Sequence, residues 1–328
     1  MIQVKSVEIK RFRGIREGIV RGFADVNLLV GRNNSGKSTV VEAIHRSAYS
    51  LDANAADPLG RSVQVWLAAR GESQTHPPEL WYTLDQTESV DIAVVVGKPE
   101  LDKDERITLA MRLEGNRLIV DPQFRYRGTV GLRHDEVTQF FTRASVFRPE
   151  DARNSNIERA LWQKIIGPRQ DKALTAACNT IFGQKAESYT LLPDGKLWLL
   201  FPDYSVPVDS QGEGHRAALR CLILLTVLRR TMLIAEEVEC HQHPGSLTEF
   251  AAAICKLAKE QEVQLFLPTH SAGCVRAFLA ASKAAGTESA VFHLKLNNGV
   301  LDPTRLDAET AETLLDTGVD VRFLDLYG

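Results

Sequence analysis

A glycine-rich loop between an apolar strand and an amphipathic helix constrains this chain more than any other feature. The loop, GRNNSGKST at residues 31–39, satisfies the pattern G-x-x-x-x-G-K-[ST]. The apolar segment 26–30 precedes it, and VVEAIHRSAYSL follows with apolar residues at helical spacing. Glycines in such a loop let backbone N–H groups converge on phosphate oxygens at a helix N-terminus. A chance glycine-rich turn is the alternative, and it leaves the flanking strand and helix unexplained.

The residues of this loop have separate expected roles in binding a nucleotide. Lys37 is expected to reach the β- and γ-phosphates, and the Ser38 hydroxyl to bind Mg²⁺. ATP and Mg²⁺ are therefore the predicted cofactors. The other predicted nucleotide-binding residues of the loop are Gly31, Asn33, Asn34, Ser35, Gly36 and Thr39.

A second stretch, MLIAEEVECHQHP at residues 232–244, places two carboxylates at the end of an apolar strand. The carboxyl ends of strands in open α/β sheets are where ligands bind. We expect Glu236 to hold Mg²⁺, through water, and Glu237 to orient or deprotonate the attacking water. A solvated charge cluster at the start of a loop is the alternative.

The same stretch contains Cys240, His241 and His243, which together suggest a soft-metal site. Such a site needs about four ligands in tetrahedral geometry, and no second Cys/His pair lies nearby in the sequence. The sequence therefore disfavours a metal site at these three residues.

Two further segments carry chemistry-bearing residues. The loop DSQGEGHR, residues 209–216, opens a predicted helix and offers a second anion-binding helix start. The segment PTHS, residues 268–271, follows another apolar strand and brings His270 to the same sheet edge. His270 can hydrogen-bond a γ-phosphate, or it can simply cap the helix that begins near Ser271.

The order of these four motifs resembles the Walker A, signature, Walker B/D-loop and switch-histidine series of ABC-type ATPase heads. Within that class the chain is most similar to the overcoming-lysogenisation-defect and RecF-like branch, whose F-R-G/S turn matches the segment RFRGI, residues 11–15. The resemblance covers residues 2–51 and roughly 144–326. It implies that Arg13 contacts nucleotide, with a basic surface turn as the alternative. It also implies that Glu237 and His270 are catalytic.

The resemblance further implies a head-to-tail homodimer, or a higher oligomer, that sandwiches ATP. Ser210 and Gly212 of one subunit then reach the γ-phosphate bound by the other. Several positions depart from the pattern: Glu236 replaces an aspartate, Val238 replaces a proline, and the signature reads S-Q-G-E. No Q-loop is obvious. About 58 residues follow His270, too few for the Toprim nuclease domain of some relatives, so the resemblance implies an ATPase head alone.

The pattern of the chain predicts an α/β fold with a mostly parallel sheet, and the resemblance implies a P-loop NTPase of the ABC-ATPase head type with a mixed or parallel sheet core. Short apolar strands alternate with helices at 216–229, 247–259 and 274–284. The head is assigned to residues 1–51 and 144–328. Between them, residues 52–143 are predicted to form a β-rich insertion lobe, whose strands include 90–97, 106–113 and 117–127.

The chain is expected to be cytoplasmic and to have no membrane contact. Five scattered cysteines without CxxC spacing are typical of reduced thiols. The N-terminus has no signal-peptide pattern, and the longest apolar run, 221–228, is too short to span a bilayer. The net charge of −3 means that any DNA contact requires a local basic patch, for which the arginines of the insertion are candidates; a solvated strand face is the alternative.

The leading functional hypothesis is an ATP-driven switch that engages DNA or controls a separately encoded effector, such as a nuclease or toxin. The branch suggests genome maintenance or anti-phage defence. A scaffold that binds ATP with little turnover is the second hypothesis, motivated by Glu236 in place of aspartate. A transporter nucleotide-binding subunit and a small-molecule kinase are less favoured, because the chain has neither an S-G-G-Q signature nor an acceptor-binding lid.

Overall fold

The computed structural model describes residues 1–47, 80–101, 104–114, 117–124 and 132–326. Residues 52–79 and 125–131 of the predicted insertion, which include the end of the strand predicted at 117–127, lie outside these residues. Within them the chain forms fourteen strands. The strands are β1 (Gln3–Phe12), β2 (Ile15–Arg21), β3 (Val26–Val30), β4 (Val90–Gly97), β5 (Glu105–Glu114), β6 (Arg117–Phe124), β7 (Ser145–Phe147), β8 (Ser188–Leu191), β9 (Leu197–Leu200), β10 (Ser205–Pro207), β11 (Thr231–Ala235), β12 (Val263–Pro268), β13 (Ser289–Asn297) and β14 (Val300–Asp307).

Helices connect most of the central strands. Short 3₁₀ segments lie at Tyr82–Leu84, Pro149–Arg153, Val208–Ser210 and Val321–Leu326. The α-helices of the described residues are α1 (Lys37–Arg46), α2 (His134–Thr142), α3 (Asn156–Ile166), α4 (Asp171–Phe182), α5 (Glu213–Val227), α6 (Pro244–Gln261), α7 (Ala272–Ala285) and α8 (Ala308–Asp316).

Eleven of the described strands form one mixed sheet in the order β6-β5-β4-β1-β2-β14-β13-β3-β12-β11-β7. The strands from β13 to β7 run parallel to one another, and β1 pairs antiparallel with both β2 and β4. A separate three-stranded antiparallel sheet contains β8, β9 and β10. Parallel strands end at one edge, so the loops after β3, β7, β11 and β12 emerge side by side.

Alternation along the central strands divides the core between the two faces of the sheet. In β3, Val26, Leu28 and Val30 pack into one apolar cluster, whereas Leu29 packs into the other. Helices α5, α6 and α7 cover the first cluster, and α1 and α2 contribute to the second. Because all five residues of β3 are buried, the loop that follows this strand rests on a fully packed base.

The strands predicted for the insertion extend the main sheet. β4 pairs with β1 over residues 91–97, with one register shift, and β5 and β6 continue outward as an antiparallel pair, with Glu114 opposite Arg117. The boundaries at residues 51 and 143 therefore stay a prediction. Among the described residues, strand β4 of the insertion is hydrogen-bonded to strand β1 of the head.

Most predicted elements lie where the sequence places them, with shifted ends. The helix predicted at 216–229 is α5, which begins three residues earlier, at Glu213. Residues 155–182 form two helices, α3 and α4, with Gly167 and Pro168 between them. The sequence analysis missed strands β2, β7, β10 and β14 and helices α2 and α8, and α2 lies within the insertion that was predicted to be β-rich. In the described part of the chain, no helix has both the length and the apolar character that crossing a bilayer requires.

Candidate active site

The glycine-rich loop, which we call the P-loop (residues 31–38), adopts a conformation that depends on its glycines. Gly31 has φ 137°, Asn34 has φ 61° and Gly36 has φ 94°. A Cβ at Gly31 would lie 2.4 Å from the carbonyl oxygen of Leu294 on β13. The neighbouring strand therefore approaches so closely that glycine is required at this position.

Lys37 is buried beneath the P-loop and is held by its backbone. Its Nζ donates hydrogen bonds to the carbonyl oxygens of Gly31 (3.0 Å) and Arg32 (2.9 Å). Burial lowers the pKa of Lys37 to about 8, and the Glu237 carboxylate opposes that shift. The ammonium thus occupies the centre of the loop, within electrostatic range of Glu237.

A cavity of about 430 Å³ opens above the P-loop. It is lined by residues 33–39 and, from across the sheet edge, by His270. The structure therefore brings His270 to the same cavity as Lys37 and Ser38. The predicted capping role falls instead to Ser271, whose Oγ accepts a 3.2 Å hydrogen bond from the backbone N–H of Cys274.

The two predicted acidic residues follow β11 at the same sheet edge. The backbone N–H of Glu236 donates to the carbonyl of Phe147, and that of Glu237 donates to the carbonyl of Pro268, each at 2.9 Å. Glu237 has φ 45°, a left-handed conformation that is rare for this residue type. The loop thus turns sharply at Glu237, and both neighbouring strands, β7 and β12, fix its position.

His270 lies in an environment that disfavours the charged form of its ring. Burial and the Lys37 ammonium lower the pKa of His270, while the carboxylates of Glu237 and Glu239 oppose that shift. Glu239 is itself held by a hydrogen bond from the buried Thr269 hydroxyl. A neutral imidazole can donate one N–H to a phosphate oxygen without adding a second cation beside Lys37.

Arg148 is a residue of this edge that the sequence analysis missed. It follows β7, and its Nε lies 3.9 Å from Oε2 of Glu236. Both side chains are mostly buried, with exposed fractions of 11% and 18%. The local sequence gave no signal, because the three residues of β7 are too few to show a period and the partner lies 88 positions away.

Arg13 lies against the helix that follows the P-loop. Its Nε is 2.6 Å from Oε2 of Glu42, and Arg46 pairs with the other oxygen of the same carboxylate at 2.8 Å. Glu42 and Arg46 are almost fully buried. Arg13 thus forms an ion pair between the β1–β2 turn and α1, an arrangement that neither sequence alternative included; its contact with nucleotide stays a prediction.

Ser210 and Gly212 lie at the start of α5. Ser210 is the last residue of the 3₁₀ segment Val208–Ser210, and its Oγ donates to the carbonyl of Pro207 at 2.7 Å. Gly212 immediately precedes the helix. Neither residue is among those that line the P-loop cavity of the same chain. Their predicted reach to a γ-phosphate therefore depends on a second subunit.

The cysteine and histidines after Glu237 have individual partners in the chain. Cys240 Sγ donates to Glu237 Oε2 at 3.3 Å, His241 Nδ1 lies 3.1 Å from Glu213 Oε2, and His243 caps α6. Within the described ranges no group of three or more His, Cys, Asp or Glu side chains is placed to hold a metal ion. Mg²⁺ in nucleotide sites is bound by few protein oxygens plus phosphates and water, so Ser38 and Glu236 suit it chemically.

Comparison with known proteins also indicates an ATPase domain. Residues 2–64 match the family model for the AAA ATPase domain. An uncharacterized protein of Methanocaldococcus jannaschii is 28% identical over 112 residues, which are 34% of this chain and 98% of that protein. An ATP/GTP phosphatase of Helicobacter pylori is 26% identical over 37% of this chain and 31% of its own length. The DNA double-strand break repair Rad50 ATPase of Archaeoglobus fulgidus is 24% identical over 48% of this chain. This chain spans only 17% of that Rad50 protein.

Solved structures show the fold more completely. The SMC head domain from Thermotoga maritima superimposes with a TM-score of 0.55 at 15% identity, over 93% of this chain and 99% of that one. The recombination mediator protein RecF superimposes with a TM-score of 0.50 at 14% identity, over 92% and 98% of the two chains. The architecture is thus the mixed α/β P-loop ATPase head that these proteins share.

Proposed function

Because the chain is an ATPase with the fold of the ABC-type heads, we propose that it is a Mg²⁺-dependent switch in which two copies pair head to tail around ATP. The observation that carries this proposal is the P-loop cavity. There Lys37, Ser38 and His270 line one space, and the charge of Glu237 acts on Lys37. We place the chain in the RecF-like and overcoming-lysogenisation-defect branch on the basis of its motif series.

Each residue of the edge has a part in the proposed hydrolysis. Lys37 neutralises charge on the β- and γ-phosphates, and the ring of His270 donates a hydrogen bond to a γ-phosphate oxygen. Glu237 accepts the proton of the attacking water. As the new P–O bond forms, the bond from the γ-phosphorus to the bridging oxygen breaks, and ADP and phosphate result. Mg²⁺, when held by Ser38 and Glu236, supplies charge neutralisation at the phosphate oxygens.

The proposed switch depends on contacts to the γ-phosphate that exist in the closed pair and are absent from the separated subunits. Ser210 and Gly212 lie on a surface outside the cavity of their own chain, so they contact a γ-phosphate only when a second copy closes over it. ATP binding then favours the closed pair, and hydrolysis removes the contacts that hold it. The output is engagement of DNA or of a separately encoded effector, in genome maintenance or anti-phage defence.

Substitution of Glu237 tests this proposal. Glu237→Gln retains the shape of the side chain but removes the proton acceptor, so ATP is bound and not hydrolysed. We expect phosphate release to fall by about 100-fold or more, in the range of general-base removal, and an ATP-dependent dimer to accumulate in light scattering. Glu249→Gln, on the exposed face of α6, is the matched control. Hydrolysis by the Glu237→Gln protein at the parental rate would overturn the assignment.

Mixed subunits test the head-to-tail arrangement. Lys37→Ala and Ser210→Arg are each expected to abolish hydrolysis when present in both copies. A one-to-one mixture forms heterodimers in which one site has an intact Lys37 and an intact Ser210 from the other copy. We therefore expect about one quarter of the parental activity, as random pairing in a two-fold dimer predicts. No recovery on mixing, with dimers present, would exclude composite sites.

A scaffold with little turnover is the second candidate. It is favoured by one observation, the pairing of Glu236 with Arg148, which engages the predicted metal ligand with a cation of the chain itself. A steady-state phosphate-release assay separates the two functions. A scaffold shows ATP-stabilised assembly without release of phosphate, and the Glu237→Gln substitution then leaves that assembly unchanged.

A further inference from the structure

The register of β7 and β11 places Arg148 beside Glu236. In this parallel pair Ala235 lies opposite Phe147, so the residues that follow each strand emerge next to one another. The hydrogen bond from the Glu236 N–H to the Phe147 carbonyl, at 2.9 Å, continues this pairing past the end of β11. The contact between the two side chains therefore follows from the sheet and does not depend on a mobile loop.

The backbone of Arg148 is fixed by the turn that follows it. Its N–H donates to Oδ2 of Asp151 at 2.9 Å, and its carbonyl accepts from the Asp151 N–H at 3.0 Å. Pro149 begins the 3₁₀ segment. The Arg148 charge also contributes to lowering the pKa of His45 on α1, after the larger effect of burial. The guanidinium is thus mostly buried beside Glu236, and its charge is felt at the helix that follows the P-loop.

We propose that Arg148 is the resident counter-cation of Glu236, which it holds in place and which it shields from divalent metal until nucleotide arrives. This inference rests on the proposed function in that it assigns Glu236 to the metal. A guanidinium 3.9 Å from a carboxylate, in a site that is mostly closed to solvent, competes directly with a divalent cation for the same oxygen. Arg148 is a positioning residue and does not itself take part in the chemical step.

The consequence is that metal binds together with ATP. Without nucleotide, a divalent ion must displace Arg148 and gains only Glu236 and Ser38 as ligands. With nucleotide, phosphate oxygens supply further ligands, and the phosphates offer Arg148 an alternative anion. The arrangement therefore keeps the nucleotide-free chain in a low-affinity state for divalent ions.

Manganese binding to the nucleotide-free chain tests this inference directly. Free and bound Mn²⁺ are distinguished by electron paramagnetic resonance during a titration of the full chain, without ATP. We expect Arg148→Gln to bind Mn²⁺ about tenfold more tightly than the parental protein, since a neighbouring positive charge is removed. Arg148→Lys, which keeps the charge, is the control and should stay near the parental affinity. In Arg148→Gln/Glu236→Gln the gain should disappear.

Two results would overturn the inference: equal Mn²⁺ affinity of the parental and Arg148→Gln proteins, or a gain that survives the loss of Glu236. If Arg148→Gln does not fold, as judged by thermal unfolding, Glu236→Gln alone decides. Shielding predicts that this substitution weakens Mn²⁺ binding less without ATP than with ATP, because Arg148 engages the carboxylate only in the nucleotide-free chain. An equal loss in both conditions contradicts it.

The proposed function and this inference fail separately. Manganese binding is measured without hydrolysis. An absence of phosphate release by the parental protein therefore contradicts the ATPase proposal and does not affect the Arg148 result. Normal hydrolysis with unchanged Mn²⁺ binding in Arg148→Gln does the reverse.

Discussion

Arg220 Nη2 donates a 2.7 Å hydrogen bond to Asp209 Oδ1, joining a side chain with no exposed surface to one that is 44% exposed. Arg220 lies in α5, and its guanidinium also donates three hydrogen bonds to Glu158 of α3. Asp209 directly precedes Ser210. The buried arginine therefore ties the predicted γ-phosphate contact of the signature loop, residues 209–212, to the helices beneath it.

We expect Asp209→Asn to weaken ATP-dependent assembly without weakening ATP binding to the single chain. The loop loses its charged link to Arg220, a contact of the kind worth roughly 1.5–3 kcal/mol, so assembly should fall by about tenfold or more. Sedimentation velocity with ATP measures assembly, and fluorescent nucleotide binding measures affinity. Asp203→Asn, on an exposed turn between β9 and β10, should change neither. Parental assembly in the Asp209→Asn protein would separate Asp209 from the signature loop's function.

The lowered pKa of Lys37 predicts how nucleotide binding depends on pH. Its ordinary pKa of 10.5 is lowered to about 8 in the folded chain, so the ammonium is fully present only below pH 8. Phosphate binding requires the charged form and raises the pKa again. ATP affinity should therefore fall as pH rises through 8, approaching about tenfold per pH unit above it.

The same linkage predicts proton uptake. At pH 9, ATP binding should take up close to one proton, which calorimetry in two buffers of different ionisation enthalpy measures. Lys37→Arg is the control, because a guanidinium stays charged at this pH and its binding, even if weaker, takes up no proton at residue 37. Equal uptake by both proteins would assign the proton to another group.

A side chain at position 31 is expected to clash with its neighbours and to disturb the P-loop. An added Cβ in Gly31→Ala would lie 2.4 Å from the Leu294 carbonyl and 2.8 Å from Ser35 Oγ, at a φ of 137°. We expect a loss of roughly 1–3 kcal/mol in unfolding free energy and a loss of ATP binding measured below the unfolding transition. Gly167→Ala is the control, since Gly167 has φ −50° and its nearest neighbour would be 3.6 Å away. Comparable effects at both positions would contradict the steric argument.

Substitutions of the Arg13–Glu42 ion pair distinguish two roles for Arg13, positioning of α1 and direct contact with nucleotide. If Arg13 acts by positioning α1 through Glu42, then Arg13→Gln and Glu42→Gln weaken ATP binding alike and the double variant adds little. Glu42→Gln should also cost about 3–5 kcal/mol of stability, because it leaves buried guanidinium groups without their carboxylate. Denaturant titrations and ATP binding complete the double-mutant cycle. Additive losses of ATP affinity would instead support a direct contact between Arg13 and nucleotide.

Local features of the fold were predictable because their signals lie within a few neighbouring residues. The P-loop, with β3 before it and α1 after it, is where the sequence places it, since the glycines permit positive φ and the apolar pattern fixes each flanking element. The strands β11 and β12 were predictable for the same reason. Strand β7 was not predictable, because its three residues are too few to show a periodicity and its partner strand β11 is far away in the sequence.

The sequence by itself determined which chemistry this protein has at hand: a phosphate-binding loop, a strand ending in Glu236 and Glu237, and His270 after the next strand. The tertiary structure decided which groups meet. It set Arg148 beside Glu236, Arg13 against Glu42, His241 against Glu213, and the insertion strands against β1. The physical reason is range, since propensity and backbone strain act over a few residues. Strand order and charge pairing instead depend on the packing of the whole sheet.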